Sequence, residues 1–215
     1  MPKESLENKR KRVLKVIKGL RRAYPDARCA LYFRNPLELL IATILSAQCT
    51  DKRVNMVTPS LFERFTSVDD FANADVPEIE EYLKTTGFYR NKAKNILEAC
   101  KMIVQRHAGE VPANLEDLVK LPGVGRKTAN VVLGNAFDVP GLTVDTHMIR
   151  LNRRLGFTKE IDAVKIEFDL MKIVPQKEWT WYSHLIIHHG RSRCSARKVD
   201  CAACEIALNC PKFNV

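Results

Sequence analysis

The 215-residue chain lacks a long apolar run: its most apolar stretch, Leu37 to Ala47, contains Glu38 and is far too short to span a bilayer. No basic segment leading into a continuous apolar run opens it, so the expectation is a soluble, cytoplasmic protein. Sustained apolar–polar alternation is also missing, which leaves β-sheet without a sequence basis and points to an all-α fold. Low-complexity segments and long linkers are absent, and 46% hydrophobic content suffices for a real core in one domain or two small ones. Acidic residues are in deficit, 25 against 35 Lys and Arg, giving a formal charge of +10. A polyanionic partner accounts for that excess, with a merely well-solvated basic surface as the alternative.

Cysteines are few and unevenly placed. Cys29, Cys49 and Cys100 are scattered and expected to be small buried hydrophobes, whereas Cys194, Cys201, Cys204 and Cys210 crowd one short stretch. In an intracellular basic protein such a cluster reads as a metal site before it reads as a pair of disulfides. Only one Cys-x-x-Cys knuckle is present, where zinc ribbons usually carry two, so the spacing leaves tetrahedral zinc and an iron–sulfur cluster both open. Arg191, Arg193, Arg197 and Lys198 crowd the first loop of the cluster and could offer a basic surface to phosphates.

Helical periodicity organises the rest. Val13, Val16, Ile17, Leu20 and Tyr24 mark an amphipathic helix from Leu6 to Tyr24 with a strongly basic outer face. Asn35-Pro36-Leu37-Glu38 is a helix start with the elements of a capping box, opening a helix to Gln48 that is apolar on nearly every face. Further starts stand at Ser67 with Asp70 and at Asp75 with Glu78, in an acidic stretch that should face away from a polyanion. Beyond Gly87 a helix runs to about His107, and Phe88-Tyr89 at its start is either a core anchor or an exposed wedge. Later helices are expected from Arg126 to Phe137, from Asp145, along the stripe Val164, Phe168, Met171 and Val174 up to Pro175, and from Trp179 to His189, where Gly190 stops it.

The stretch Leu121-Pro122-Gly123-Val124-Gly125-Arg126-Lys127-Thr128-Ala129, preceded by a short helical segment, has the form of a helix-hairpin-helix. Its glycines let a sugar-phosphate backbone approach, and the amides at the following helix start attract an anion. Phosphate contacts alone fix position and specify no reaction. Lys127 adds chemistry: a lysine made neutral by desolvation and a helix N-terminus attacks an electrophilic sugar carbon to give a Schiff base. Asp145, in Val144-Asp145-Thr146-His147, reads as a helix cap whose fixed negative charge also suits a cationic sugar transition state. His184 and His188, four apart on a helix, lack a third ligand at a suitable offset and are read as structural.

Taken together, Leu121 to Asn130, Val144 to His147, Ser46-Ala47-Gln48-Cys49-Thr50-Asp51 and the four-cysteine spacing resemble the endonuclease III family of helix-hairpin-helix DNA glycosylases over essentially the whole chain. The resemblance implies two helical lobes with a DNA cleft between them. One is a six-helix barrel at 29–139 carrying the hairpin at about 115–137; the other, built from 1–28 and 140–215, carries a [4Fe-4S] cluster on Cys194, Cys201, Cys204 and Cys210. It implies a monomeric base-excision enzyme, nucleoid-associated in a prokaryote, that removes oxidised pyrimidines from duplex DNA and cleaves the abasic site by β-elimination. Lys127 would be the nucleophile and Asp145 its electrostatic partner, with the lesion base flipped out of the duplex. Gln48 would enter the gap left by that base, and Phe88 stands where the family places an apolar wedge, often leucine. Gly123, Val124, Gly125 and Arg126 would hold the DNA backbone together with Arg191, Arg193, Arg197 and Lys198. Related adenine and thymine-mismatch glycosylases replace the lysine, and the 8-oxoguanine lyases generally lack the cysteines. A module that only binds DNA would explain the hairpin and the basic loop but gives Lys127 and Asp145 no task.

Overall fold

Ser5 accepts a hydrogen bond from the Asn8 amide and thereby starts α1 (Leu6–Ala23), whose Val13, Val16, Ile17 and Leu20 are buried. The computed structural model describes residues 4–213 and 215; the expected lobe assignments at residues 1–3 and 214 fall outside them. In the described residues the chain is helical with no β-strand, as the missing alternation leads one to expect. By packing it separates into two compact units, Cys29–Val139 and the pair Met1–Arg28 with Pro140–Val215.

The continuous unit contains α2 (Pro36–Leu45), α3 (Asp51–Arg64), α4 (Val68–Ala72), α5 (Val76–Leu83), α6 (Tyr89–His107), α7 (Leu115–Leu118) and α8 (Arg126–Ala136). Its centre is α2, buried from Leu37 through Leu45 and packed against α3, α6 and α8. Asn35 caps it by accepting from the Glu38 amide at 2.9 Å, but the expected capping box is not closed. Glu38 reaches one residue further back, accepting from the Arg34 amide at 2.7 Å and from the Arg34 guanidinium, which gives a buried carboxylate both partners. α2 ends at Leu45 and not at Gln48, because the chain turns at 46–49 with Gln48 in the left-handed region at φ 52°. Ser67 and Asp70 do form a reciprocal capping box. Asp75 makes no side-chain cap: Pro77 has no N–H, and the Glu78 amide donates to the Asp75 main-chain carbonyl instead.

The discontinuous unit joins α1 to α9 (Thr146–Arg154), α10 (Ala163–Met171) and α11 (Trp179–Ser192), with α11 touching both α1 and α9. Two expectations are corrected here. On α10 the buried face is Ile166 and Leu170, continued by Ile173 and Val174, whereas Val164 and Phe168 are 41% and 50% exposed. Apolar residues occupy two sides of this helix at helical spacing, so periodicity alone selected the wrong one, and the helix ends at Met171 ahead of Pro175. Gly190 does not stop α11 but lies inside it, because a Cβ there would stand 2.7 Å from His147 Nδ1 and 3.0 Å from Arg150 Nη2. It is a close-approach glycine. Of the scattered cysteines only Cys100 is fully buried, with its thiol pKa pushed up to about 12; Cys29 and Cys49 are partly buried against the same core.

Arg150 Nη2 is held by His147 Nδ1, the Gly190 carbonyl and the Cys194 carbonyl at 3.0–3.1 Å, so it cannot swing aside to admit a methyl group. Gly190→Ala is therefore expected to destabilise the protein by about 1–3 kcal/mol, the usual cost of overpacking. Urea unfolding of the two proteins checks it.

Candidate functional site

The glycine turn is fixed from inside. Asn114 caps α7 by accepting from the Asp117 amide at 2.9 Å, Leu118 and Leu121 bury themselves after it, and the Val124 amide donates to the Leu121 carbonyl at 3.1 Å. Val124 is buried, so of the expected backbone-contacting residues it offers only its main chain. Gly123 is needed for two reasons: its φ of 76° is left-handed, and a Cβ would meet Asn95 at 3.0 Å. Gly125 has ordinary extended backbone at φ −90°, and a Cβ there would meet nothing within 4 Å. It caps α8 without a side-chain hydrogen bond. Gly123, Gly125 and Lys127 are exposed on this rim, with Arg126 half-buried beside them, and Lys127 stands in the first turn of α8. That geometry is an uncovered helix start able to take an anion, with an amine in the same turn.

Gln48 and Phe88 belong to the same unit. Both are exposed non-glycine residues in the left-handed region, Gln48 at φ 52° and Phe88 at φ 49°, and Phe88 is 64% accessible. Each such residue costs on the order of 1 kcal/mol, so this backbone is held by its surroundings and does not relax alone. Phe88 is thus a displayed ring, while Tyr89 is the half-buried one that packs on the core.

Asp145 lies in the discontinuous unit and caps α9, its Oδ1 accepting from the Met148 amide at 2.8 Å. His147, the second residue of the helix, accepts on Nδ1 from the Arg150 guanidinium at 3.0 Å. Arginine has no lone pair to give, so this bond assigns the imidazole proton to Nε2, and burial lowers the His147 pKa in the same direction.

The cysteines of the C-terminal cluster are free thiols, and all four line one cavity with Leu151, Arg154, His189 and Ile206. Arg154 donates to Cys194 Sγ at 3.1 Å, and His189 Nε2 lies 3.6 Å from Cys204 Sγ. Burial raises the pKa of Cys204 and Cys210, and the neighbouring cysteines raise both further. Neither Arg154 nor His189 was read from the sequence as part of this site; they approach the sulfurs from α9 and α11, and no spacing rule connects them to the cysteines. Arg191, in the last turn of α11, and Arg197 and Lys198 in the loop beyond it are exposed; Arg193 is engaged by Asp200 at 2.9 Å and Glu205 at 3.0 Å. His184 is half-buried, with its pKa lowered to about 4 by desolvation, as befits a structural histidine.

An all-helical fold with a glycine turn opening a basic helix start, and a four-cysteine cavity in its other unit, defines a class. The model of the HhH-GPD superfamily of base excision DNA repair proteins matches residues 41–176, and the chain belongs to that family. Endonuclease III of Synechocystis sp. (strain ATCC 27184 / PCC 6803 / Kazusa) is 52% identical over 96% of the chain and 94% of that protein. A solved non-covalent endonuclease III–DNA complex superposes with a TM-score of 0.89 at 43% identity, covering 94% of this chain and 95% of that one. A trapped covalent endonuclease III–DNA intermediate matches with the same score and identity, over 94% and 96%.

The two glycines of the turn are predicted to differ. Gly123→Ala should lower stability by about 1–2 kcal/mol through its left-handed φ, whereas Gly125→Ala should leave stability within about 0.5 kcal/mol. Both should weaken DNA binding, Gly125→Ala without loss of fold; denaturant titration and fluorescence anisotropy with a duplex check the pair.

Proposed function

We propose that this chain is a bifunctional DNA glycosylase and abasic-site lyase that removes oxidised pyrimidines from duplex DNA, with Lys127 as nucleophile. The carrying observation is the position of Lys127: an exposed amine in the first turn of the helix that the glycine turn opens. The amides that hold the DNA backbone and the nucleophile share one rigid element, so registering the phosphate also places the amine.

In the reaction proposed, the neutral amine of Lys127 attacks C1′ of the lesion nucleotide, and the N-glycosidic bond breaks with the damaged base leaving as its protonated form. The amine nitrogen gives up one proton to the departing base and one to O4′ as the C1′–O4′ bond breaks, leaving an open-chain Schiff base. Removal of a C2′ proton then breaks the C3′–O bond, releasing the 3′ phosphate, and water hydrolyses the imine to return the lysine. Asp145 supplies a fixed negative charge for the cationic sugar as it develops. Gln48 and Phe88 fill the space vacated by the flipped nucleotide, with Phe88 as the wedge, while Gly123, Val124, Gly125, Arg126, Arg191, Arg197 and Lys198 contact the backbone; Arg193 does so only by sharing its guanidinium with Asp200 and Glu205. The relatives' trapped covalent complex with DNA supports a reaction through an enzyme–DNA bond. Cytoplasmic, nucleoid-associated action as a monomer on damaged duplex DNA follows from this reading, and no described helix is long and apolar enough to cross a membrane.

We infer that Cys194, Cys201, Cys204 and Cys210 hold a [4Fe-4S] cluster. The donor set fits: four thiols on one cavity, with a guanidinium at one sulfur. A single tetrahedral zinc would draw its sulfurs to about 3.8 Å of one another, given Zn–S bonds near 2.3 Å. In the described residues the ligand atoms gathered within 4.8 Å are those of His189, Cys204 and Glu205, and no three cysteine sulfurs come that close, which favours the larger centre. When bound, such a cluster would tie the loop from Cys194 to Cys210 to α9 and α11, keeping the basic residues of that loop in place.

Borohydride is expected to trap a covalent complex with a duplex carrying one abasic site or thymine glycol. Lys127→Ala should abolish trapping while retaining DNA affinity within about threefold. Absence of trapping by the unaltered protein, with binding intact, would overturn the lyase reading. For the metal, the purified protein should be coloured and hold about four iron atoms per chain; a colourless protein with one zinc would reverse that assignment.

A further inference from the structure

Lys92 is a buried lysine that the reaction above does not use. It is 5% exposed, in the first turn of α6, and its ammonium donates to the Leu45 carbonyl at 2.9 Å and to the Thr86 carbonyl at 2.7 Å. Leu45 is the last residue of α2, three before Gln48; Thr86 is two before Phe88. The Lys92 backbone amide also donates to the Phe88 carbonyl at 3.1 Å. One residue therefore holds the chain on the approach to both left-handed positions. Thr86 is itself buried and fixed from the other side, its amide and its hydroxyl both donating to the Leu83 carbonyl at 2.8 Å.

We propose that Lys92 is a positioning residue: its side chain ties the Gln48 turn to the Phe88 turn, so that the two exposed side chains enter the duplex as one preorganised pair. This rests on the reading that Gln48 and Phe88 fill the gap in the base stack. The chemistry suits the task. An ammonium has three donors in tetrahedral array, enough to bridge two carbonyls from separate chain segments, and positive charge is favoured at the C-terminal end of α2. Burial excludes competing water from these bonds, which makes them stiffer than exposed equivalents. Without the bridge each turn would bear its own left-handed residue with one fewer restraint. The pair would then have to be ordered by the DNA, at the expense of binding free energy needed to open the stack.

The test compares two duplexes of the same sequence, one with thymine glycol, whose base must be extracted, and one with a preformed abasic site, which has no base to extract. Lys92→Met, similar in length but without donors, is expected to slow thymine glycol removal at least about tenfold and abasic-site cleavage by less than about threefold. Gln48→Ala and Phe88→Ala should shift the same ratio in the same direction, and Lys92→Met added to Phe88→Ala should cost less than the two separately. 2-Aminopurine placed opposite the lesion should brighten on binding the parent protein and respond less to Lys92→Met. Lys92→Arg, which keeps donors for both carbonyls, should recover most of the ratio, and it carries the comparison with Lys92→Gln if Lys92→Met does not fold. Equal losses on both duplexes, or none, overturn the positioning role. If Gln48→Ala and Phe88→Ala leave the ratio unchanged, the stack-filling reading fails; if they shift it and the Lys92 variants do not, only the role of Lys92 fails.

Discussion

The burial of α2 on all sides is the constraint on which the 29–139 unit depends. A helix apolar around its whole circumference has no face to offer water, so α3, α6 and α8 must surround it. Once they do, the positions of the proposed functional residues of this unit are largely decided. α8 packs on α2 and presents the glycine turn and Lys127 at its start. α6 packs on α2 as well, carrying Phe88 and Tyr89 at its own start. α2 ends just before the turn that displays Gln48. The end of this buried rod and the starts of two helices packed on it thus carry the residues proposed to contact DNA. A polar residue inside that rod needs its partners on the spot: Glu38 has Arg34, and Thr43 donates to the Leu39 carbonyl.

The discontinuous unit solves a different problem. It brings four cysteines onto one cavity, where burial raises the pKa of Cys204 and Cys210. The proposed cluster would bring positive charge there, and α9 already turns Arg154 toward Cys194. The same helix begins at Asp145, and between the two ends Arg150 touches His147, Gly190 and Cys194. Gly190 is small because that arginine needs the space, which makes one missing Cβ a condition for the whole arrangement.

Much of this could be read from the chain, and the failures have physical causes. Helix starts with Ser, Asn or Asp were legible because capping is local, acting within three or four residues. The all-apolar character of α2 announced a central helix, and in the turn from Leu121 to Thr128 Gly123 marked the left-handed residue. Helix ends were harder. Gln48 adopts a left-handed conformation that its side chain does not advertise, and Gly190 has the composition of a stop signal but answers to a neighbouring arginine. α10 has two apolar sides, and only tertiary packing chooses between them. Lys92 did leave a trace, since it lies in register with Ile96, Ala99 and Ile103 on the buried side of α6, but a charge on an apolar stripe is easily taken for its edge. The approach of Arg154 and His189 to the sulfurs left none, because those contacts join segments some forty and fifteen positions from their cysteine partners.

The division of one unit across the chain bears on the order in which the protein takes shape during synthesis. The 29–139 unit is a single stretch and has all its packing partners once residue 139 has left the ribosome. α1 is made first, yet Val13, Val16, Ile17 and Leu20 must await α11, which begins at Trp179. At roughly 5–20 residues per second that interval is on the order of ten seconds or more. Through it the nascent chain carries an amphipathic basic helix with its apolar side uncovered, and the cysteines emerge later still. The docking of α1 is thus a closing event of maturation, and loading of the proposed cluster, whose cysteines emerge last, would fall at the same stage.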